Sequence, residues 1–152
     1  MLAALAGIVL AAGCAENITD SDIKLVPVSE VRKLTLRQAE KPQDKILVLI
    51  DPRAGARFDA AHLPGARNLK LPQMPERSSK DPSIAVYEHI IVYGTDPGSA
   101  AARAMTKRML SVGYKGVRMF AGGVTEWKAQ GYPVEVTPPP VPEPVQPPDP
   151  EQ

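Results

Sequence analysis

The sequence predicts the α/β class, a mostly parallel β-sheet flanked by helices. Three observations carry that expectation. Two short apolar runs, "KILVLID" at 45–51 and "HIIVYG" at 89–94, lack polar alternation and read as strands covered on both faces. An apolar stripe at helical spacing follows the second run. Both ends of the chain change composition sharply, which leaves one domain-sized stretch at about residues 23–137.

The elements follow in chain order. "IKLVPV" at 23–28 reads as a short strand, and Ser29 is expected to cap the helix after it, with Glu30 near the positive end of the helix dipole. "KILVLID" is a buried strand ending in Asp51, and "ARNLKL" at 66–71 alternates weakly enough to suit a sheet edge. "HIIVYG" runs through a short loop into a helix from Ser99 to about Val112. That helix should carry Ala101, Met105, Met109 and Val112 on one stripe and leave Arg103, Lys107 and Arg108 in solvent. Gly113 stops it as a C-terminal glycine does. "GVRMF" at 116–120 is the last strand, and "TEWKAQ" a short final helix ended by Gly131. Ligands of parallel sheets bind beyond the carboxyl ends of the strands, where Asp51 and Gly94 both fall.

Composition narrows the function. Eighteen basic residues oppose seventeen acidic ones, so no general attraction to nucleic acid or to an anionic membrane is implied. Cys14 is the one cysteine, which excludes an intrachain disulfide and a cysteine-based metal site. His62 and His89 lie far apart in the sequence, so neither a zinc site nor any other metal or cofactor is expected.

The two ends point to export. "MLAALAGIVLAAGC" is uncharged up to Cys14 and too short to span a bilayer, which takes about 20 residues. Residues 1–13 read as a signal peptide. The ending "LAAGC" resembles the lipobox of bacterial lipoproteins, which implies acylation of Cys14 and a bilayer as a partner. Ala11 stands where that motif most often has Leu, and no Lys or Arg precedes Cys14, so the start of translation is expected upstream of Met1 or the signal is unusually short. A buried helix with a core cysteine is the plainer alternative. Residues 14–22 read as a polar tether. Ala15, in place of the Asp that typically marks inner-membrane retention, favours the outer membrane in a Gram-negative cell. Residues 138–152 hold eight prolines and no basic residue. Such a tail cannot build a core, and in polyproline II form it reaches about 46 Å. It is an inert stalk or a ligand for an aromatic groove.

Four phrases, in order, resemble one family. "LIDPR" at 49–53 is similar to a strand-ending Asp-x-Arg. "FDAAHLPGARNL" at 58–69 resembles Glu-Tyr-x-x-Gly-His-Ile-Pro-Gly-Ala-x-Asn-Ile. "IIVYG" at 90–94 stands where a strand enters an active loop, and "AGGVTEWKAQGYPV" at 121–134 is similar to a closing Gly-Gly-x-x-x-Trp. Together they resemble the rhodanese-like domain over residues 23–136. The resemblance implies a persulfide carried on a loop cysteine, or, in related cell-cycle phosphatases, a phosphate. Loop amides and a helix N-terminus there activate the thiol and hold the anion. Sulfurtransferase loops commonly run Cys-Arg-x-Gly-x-Arg. Here the cysteine position falls on Gly94 and the closing Arg on Ser99, or on Ala100 for the longer phosphatase loop.

With no cysteine in the loop, Gly94, Thr95, Asp96, Pro97, Gly98 and Ser99 form a candidate ligand loop rather than a catalytic one. Its amides can cradle a small anion, with Arg53, and further out Arg57 and Arg67, adding charge. Asp96 reads first as a turn former and Ser99 as a helix N-cap. No Gly-Lys-Ser/Thr follows the glycines, which argues against a nucleotide P-loop. His62 is expected to position the chain beside the sheet, and His89 to lie at the surface. The expectation is a catalytically inactive, lipid-anchored, periplasm-facing binding module whose loop meets another envelope protein. Two alternatives stay open: a sulfurtransferase or phosphatase using a non-cysteine loop residue, and a folded spacer that presents the tail.

Overall fold

The computed structural model describes residues 17–138, so Cys14, the signal-like segment and residues 139–152 lie outside it. Four strands, β1 (Leu47–Asp51), β2 (Arg67–Asn68), β3 (His89–Tyr93) and β4 (Val117–Phe120), form one parallel sheet in the order β2-β1-β3-β4. Val48 lies opposite Ile90, and Ile90 opposite Val117. Five helices surround it: α1 (Val28–Glu40), α2 (Gly55–Ala60), α3 (Pro82–Ala85), α4 (Ala100–Val112) and α5 (Gly123–Ala129). None of the described helices is long and apolar enough to cross a membrane.

The continuous apolar runs are explained by two cores that share the strands. Leu47, Leu49, Ile91, Tyr93 and Phe120 face α1 and α5, where Val31, Leu34 and Trp127 meet them. Val48, Ile50, Ile90, Val92 and Met119 face the other way, onto Met105 and Met109 of α4. Strand residues alternate between faces, so a strand covered on both sides must be apolar at every position. The buried pattern of β1 shows this, down to Asp51.

Several elements differ from expectation for identifiable reasons. Residues 23–28 make one parallel bridge, Leu25 to Met119, rather than a full strand, because Pro27 ends the pairing. Pro27, not Ser29, is the N-cap of α1, and no side chain caps that end; Ser29 sits inside the first turn. Glu30 still lies in that turn and also accepts from Arg118 at 2.6 Å. On α4 the buried stripe runs through Ala102, Met105, Thr106 and Met109, while Ala101 is exposed. Arg108 is only partly solvated, since its guanidinium donates to the Met74 carbonyl at 2.6 Å. Asp20–Asp22, expected in the tether, form a 3₁₀ turn held against α4 by the Asp20–Lys107 pair at 2.7 Å. Gly113 closes α4 in the left-handed conformation, at φ +90°.

The exchange of Ala101 for Ala102 at the start of the α4 stripe is testable. Ala101→Glu should leave unfolding by denaturant within about 0.5 kcal/mol of the parent. Ala102→Glu, which forces an unpaired carboxylate against the sheet, should cost several kcal/mol. Comparable losses in the two variants would contradict the assigned face.

Candidate functional site

β3 delivers the chain into the 94–99 loop, and α4 takes it out again. Gly94 is buried, Thr95 and Ser99 are half-buried, and Asp96, Pro97 and Gly98 are exposed. Asp96 does what its turn chemistry predicts: its Oδ1 accepts the Gly98 N–H at 2.8 Å, and its carbonyl accepts the Ser99 N–H at 3.1 Å. Ser99 is the N-cap of α4, and its Oγ accepts the Ala102 N–H at 3.3 Å. Arg103 ties the tip from above, donating to the Pro97 carbonyl at 3.3 Å.

A second clamp comes from α5. Val124 donates its N–H to the Gly94 carbonyl at 3.0 Å, and Thr125 to the Thr95 carbonyl at 2.9 Å. Gly123 makes that approach possible. It sits at φ +59°, and a Cβ there would lie 2.8 Å from the Thr95 carbonyl and in collision with the Gly94 oxygen. The "AGGVTEW" phrase is therefore a support for the loop. Its glycine pair was visible in the sequence, but the contact it makes was not.

The space above Gly94 is already filled. A Cβ at position 94 would collide with both Cβ and Oγ of Ser99 and come within 3.2 Å of the Ala102 Cβ. Because the Ser99 Cβ is fixed by the backbone, no rotamer of Ser99 clears that volume. Beside the loop lies a cleft of about 470 Å³ lined by Arg53, Arg57, Asp96 and Ser99 among others. Its ionisable side chains are those two arginines and Asp96, with no histidine or lysine. No cluster of metal-binding side chains occurs among the described residues.

Arg53 lines the cleft, but its charge is spent inward. Its Nε donates to both Asp51 oxygens at 2.9 and 3.1 Å, and its Nη2 donates at 2.7 Å to Asp51 and again at 2.7 Å to the Ala61 carbonyl. Asp51 is fully buried and Arg53 is 8% exposed. Burial pulls the guanidinium pKa down, yet the Asp51 hydrogen bonds and charge outweigh it and raise the net value. Arg57 lines the same cleft without a partner among the described residues. Arg67 does not join it: its guanidinium donates to Ser83 and to the Tyr87 hydroxyl instead.

The surrounding phrases explain themselves around this pair. Asn68 donates to the carbonyls of Asp51 and Arg53, both at 2.9 Å, fixing the turn after β1. His62 is buried, its Nδ1 lies 2.8 Å from the Phe58 carbonyl, and its backbone pairs with Glu135. It positions the chain and does not reach the loop cleft. His89 is half-buried at the start of β3. Trp127 donates to the Pro133 carbonyl at 2.7 Å.

Tyr93 was not singled out by the sequence, because a tyrosine ending an apolar strand looks like core. Its hydroxyl accepts the Leu63 N–H at 3.1 Å, and its ring lies 6.0 Å from the Arg53 guanidinium carbon. Burial pushes the phenol well above its usual 10.0, and the Asp51 charge adds to the rise. The folded state thus holds a proton that the unfolded chain releases above pH 10. Stability from this source is complete below that pH and is lost as pH rises, by about 1.4 kcal/mol per pH unit. Tyr93→Phe should therefore show a shallower loss of stability between pH 9 and 11 than the parent; an equal slope would contradict the assignment.

The comparisons with known proteins agree with this geometry. Residues 34–130 match the model of the rhodanese-like domain. Among solved structures, a Rhodopseudomonas palustris protein described as a possible tyrosine phosphatase shares 20% identity at a TM-score of 0.59, over 76% of this chain and 87% of its own. The rhodanese-like domain of an Anabaena protein shares 22% at 0.53, over 74% and 78%. An Escherichia coli 3-mercaptopyruvate sulfotransferase shares 19% at 0.50, over 80% of this chain and 54% of its own. No curated protein matches the chain. With the family match spanning well over half of the sequence and the parallel sheet, Asp-x-Arg turn and strand–loop–helix in place, the chain belongs to the rhodanese-like domain family.

Proposed function

We propose that this protein is a catalytically silent rhodanese-like binding module, tethered to an envelope membrane through acylated Cys14, with the 94–99 loop as its contact surface. One observation carries the reading: the Ser99 side chain occupies the volume that a side chain at position 94 would need. A sulfur- or phosphate-carrying nucleophile has no room there. The other loop groups are poor substitutes. Asp96 and Ser99 each spend an acceptor oxygen on the turn and the helix cap, and a serine nucleophile needs a general base within hydrogen-bond reach; Asp96, the one carboxylate of the cleft, makes no side-chain hydrogen bond to the Ser99 hydroxyl. Of the loop amides, those of Gly98 and Ser99 are directed at Asp96 oxygens, which takes these two away from a bound anion. What the loop retains is a fixed shape, with an exposed Asp96-Pro97-Gly98 tip beside a cleft holding one unpaired arginine. A preformed surface loses little entropy on binding a protein partner.

Two neighbours carry names that imply chemistry, one a sulfotransferase and one a possible tyrosine phosphatase, so both activities belong in the test. The purified chain, offered thiosulfate and cyanide in one assay and p-nitrophenyl phosphate in another, should not exceed the rate of a heat-denatured control. Turnover above that control in either assay, lost on Asp96→Asn or Ser99→Ala, would overturn the reading.

A further inference from the structure

Asn17 and Ile18, the first described residues, line a cleft of about 820 Å³ on the C-terminal half of α4. Arg77, Lys107 and Arg108 border the same cleft. Lys80 adjoins it at the helix end, with its Cε 3.8 Å from where a Cβ on Gly113 would stand. Two carboxylates answer these four cations: Asp20 pairs with Lys107 at 2.7 Å, and Glu76 with Arg108 at 3.1 Å. Arg77 and Lys80 are exposed and have no ion-pair partner among the described residues. Asp22, on the same turn as Asp20, and Asp81, which follows Lys80, are the further carboxylates near this face, so Arg77 and Lys80 supply its unpaired positive charge.

Its place relative to Cys14 gives the charge a use. Three residue steps separate Cys14 from Asn17, a reach of at most about 11 Å when fully extended. Screening in physiological salt sets in at about 8 Å. A chain acylated at Cys14 therefore keeps Asn17, on the rim of this face, within about one and a half screening lengths of the headgroups. The Asp20–Lys107 pair stops residues 20–22 from lengthening the leash. We infer that the α4 cleft face docks on an anionic bilayer surface, through Arg77, Lys80, Lys107 and Arg108. The inference rests on the lipoprotein reading of Cys14. Docking of this kind leaves the 94–99 loop toward the other end of α4, about 11 Å along the helix from Lys107, where it can meet a partner.

The test uses the full, processed chain in vesicles of phosphatidylcholine with or without phosphatidylglycerol. A water-soluble amine reagent labels exposed lysines, and mass spectrometry reads each site. Lys80 and Lys107 should label several-fold less on the phosphatidylglycerol vesicles than on neutral ones. Lys33 on α1 and Lys128 on α5, exposed across the sheet, should label alike on both. Molar salt, which shortens screening to about 3 Å, should restore Lys80 and Lys107. The Arg77→Glu, Lys80→Glu double variant should label at Lys107 equally on both vesicle types. Equal labelling of Lys80 and Lys107 on both lipids by the acylated parent, or equal shielding of all four lysines, overturns the docking proposal alone. An intact mass showing an unmodified Cys14 overturns the lipoprotein reading and this inference with it.

Discussion

The site depends first on a buried ion pair. Asp51 ends β1 with no exposed surface, and Arg53 folds back over it through three side-chain hydrogen bonds and one from its backbone N–H. The same guanidinium reaches the Ala61 carbonyl after α2, and the Tyr93 ring lies beside it. One pair thus joins β1, the exit of α2 and β3 behind the cleft, while Arg53 itself lines it. Removing one partner of such a buried pair typically costs about 3–5 kcal/mol, because the remaining charge is stranded. Asp-x-Arg in this chain is a structural device: the arginine holds the wall of the cleft and has little charge left to offer a ligand.

A second constraint closes the loop. Its carbonyls at Gly94 and Thr95 are taken by α5 amides, and its N–H groups at Gly98, Ser99 and Ala102 by Asp96 and Ser99. Gly123 lets the α5 turn come close enough to donate, and Gly94 lets Ser99 sit where a side chain would otherwise project. The two glycines have one effect, a loop pinned between two helices with its interior volume consumed. The family scaffold remains, and a Cβ at position 94 would meet Ser99. A pinned surface, with Asn17 and Ile18 lying on the far half of α4, suits the binding role proposed above.

Much of this was legible before the structure. The buried strands declared themselves because both faces are covered, and the order of the four family phrases identified the fold. The missing cysteine was plain, and so were the turn at Asp96 and the cap at Ser99, since both are local in the chain. What failed was what periodicity and propensity do not encode. Three alanines in succession at 100–102 leave open which of them begins the α4 stripe that Met105 and Met109 continue, and only packing against β3 and β4 settles it. Ser29 looked like a cap, but Pro27 already holds the extended backbone that a cap requires. The "DSD" turn at 20–22 is too short and polar to read, and is fixed by a lysine 87 positions away. Arg67 looked available for the cleft and is drawn instead to Tyr87 and Ser83. The filling of the Gly94 space depends on the path of the whole loop, which no single residue announces.

The central claim is that Ser99 and any side chain at position 94 compete for one volume, and a double-mutant cycle tests it most directly. Gly94→Cys alone should destabilise the chain by about 1–3 kcal/mol, as overpacking does. Ser99→Gly alone should cost only a few tenths of a kcal/mol as a cap replacement. In the Ser99→Gly background most of the Gly94→Cys penalty should disappear, a coupling that distant sites do not show. If Gly94→Cys is tolerated without loss while Ser99 is present, the volume is open and the account of a closed, non-catalytic loop is wrong.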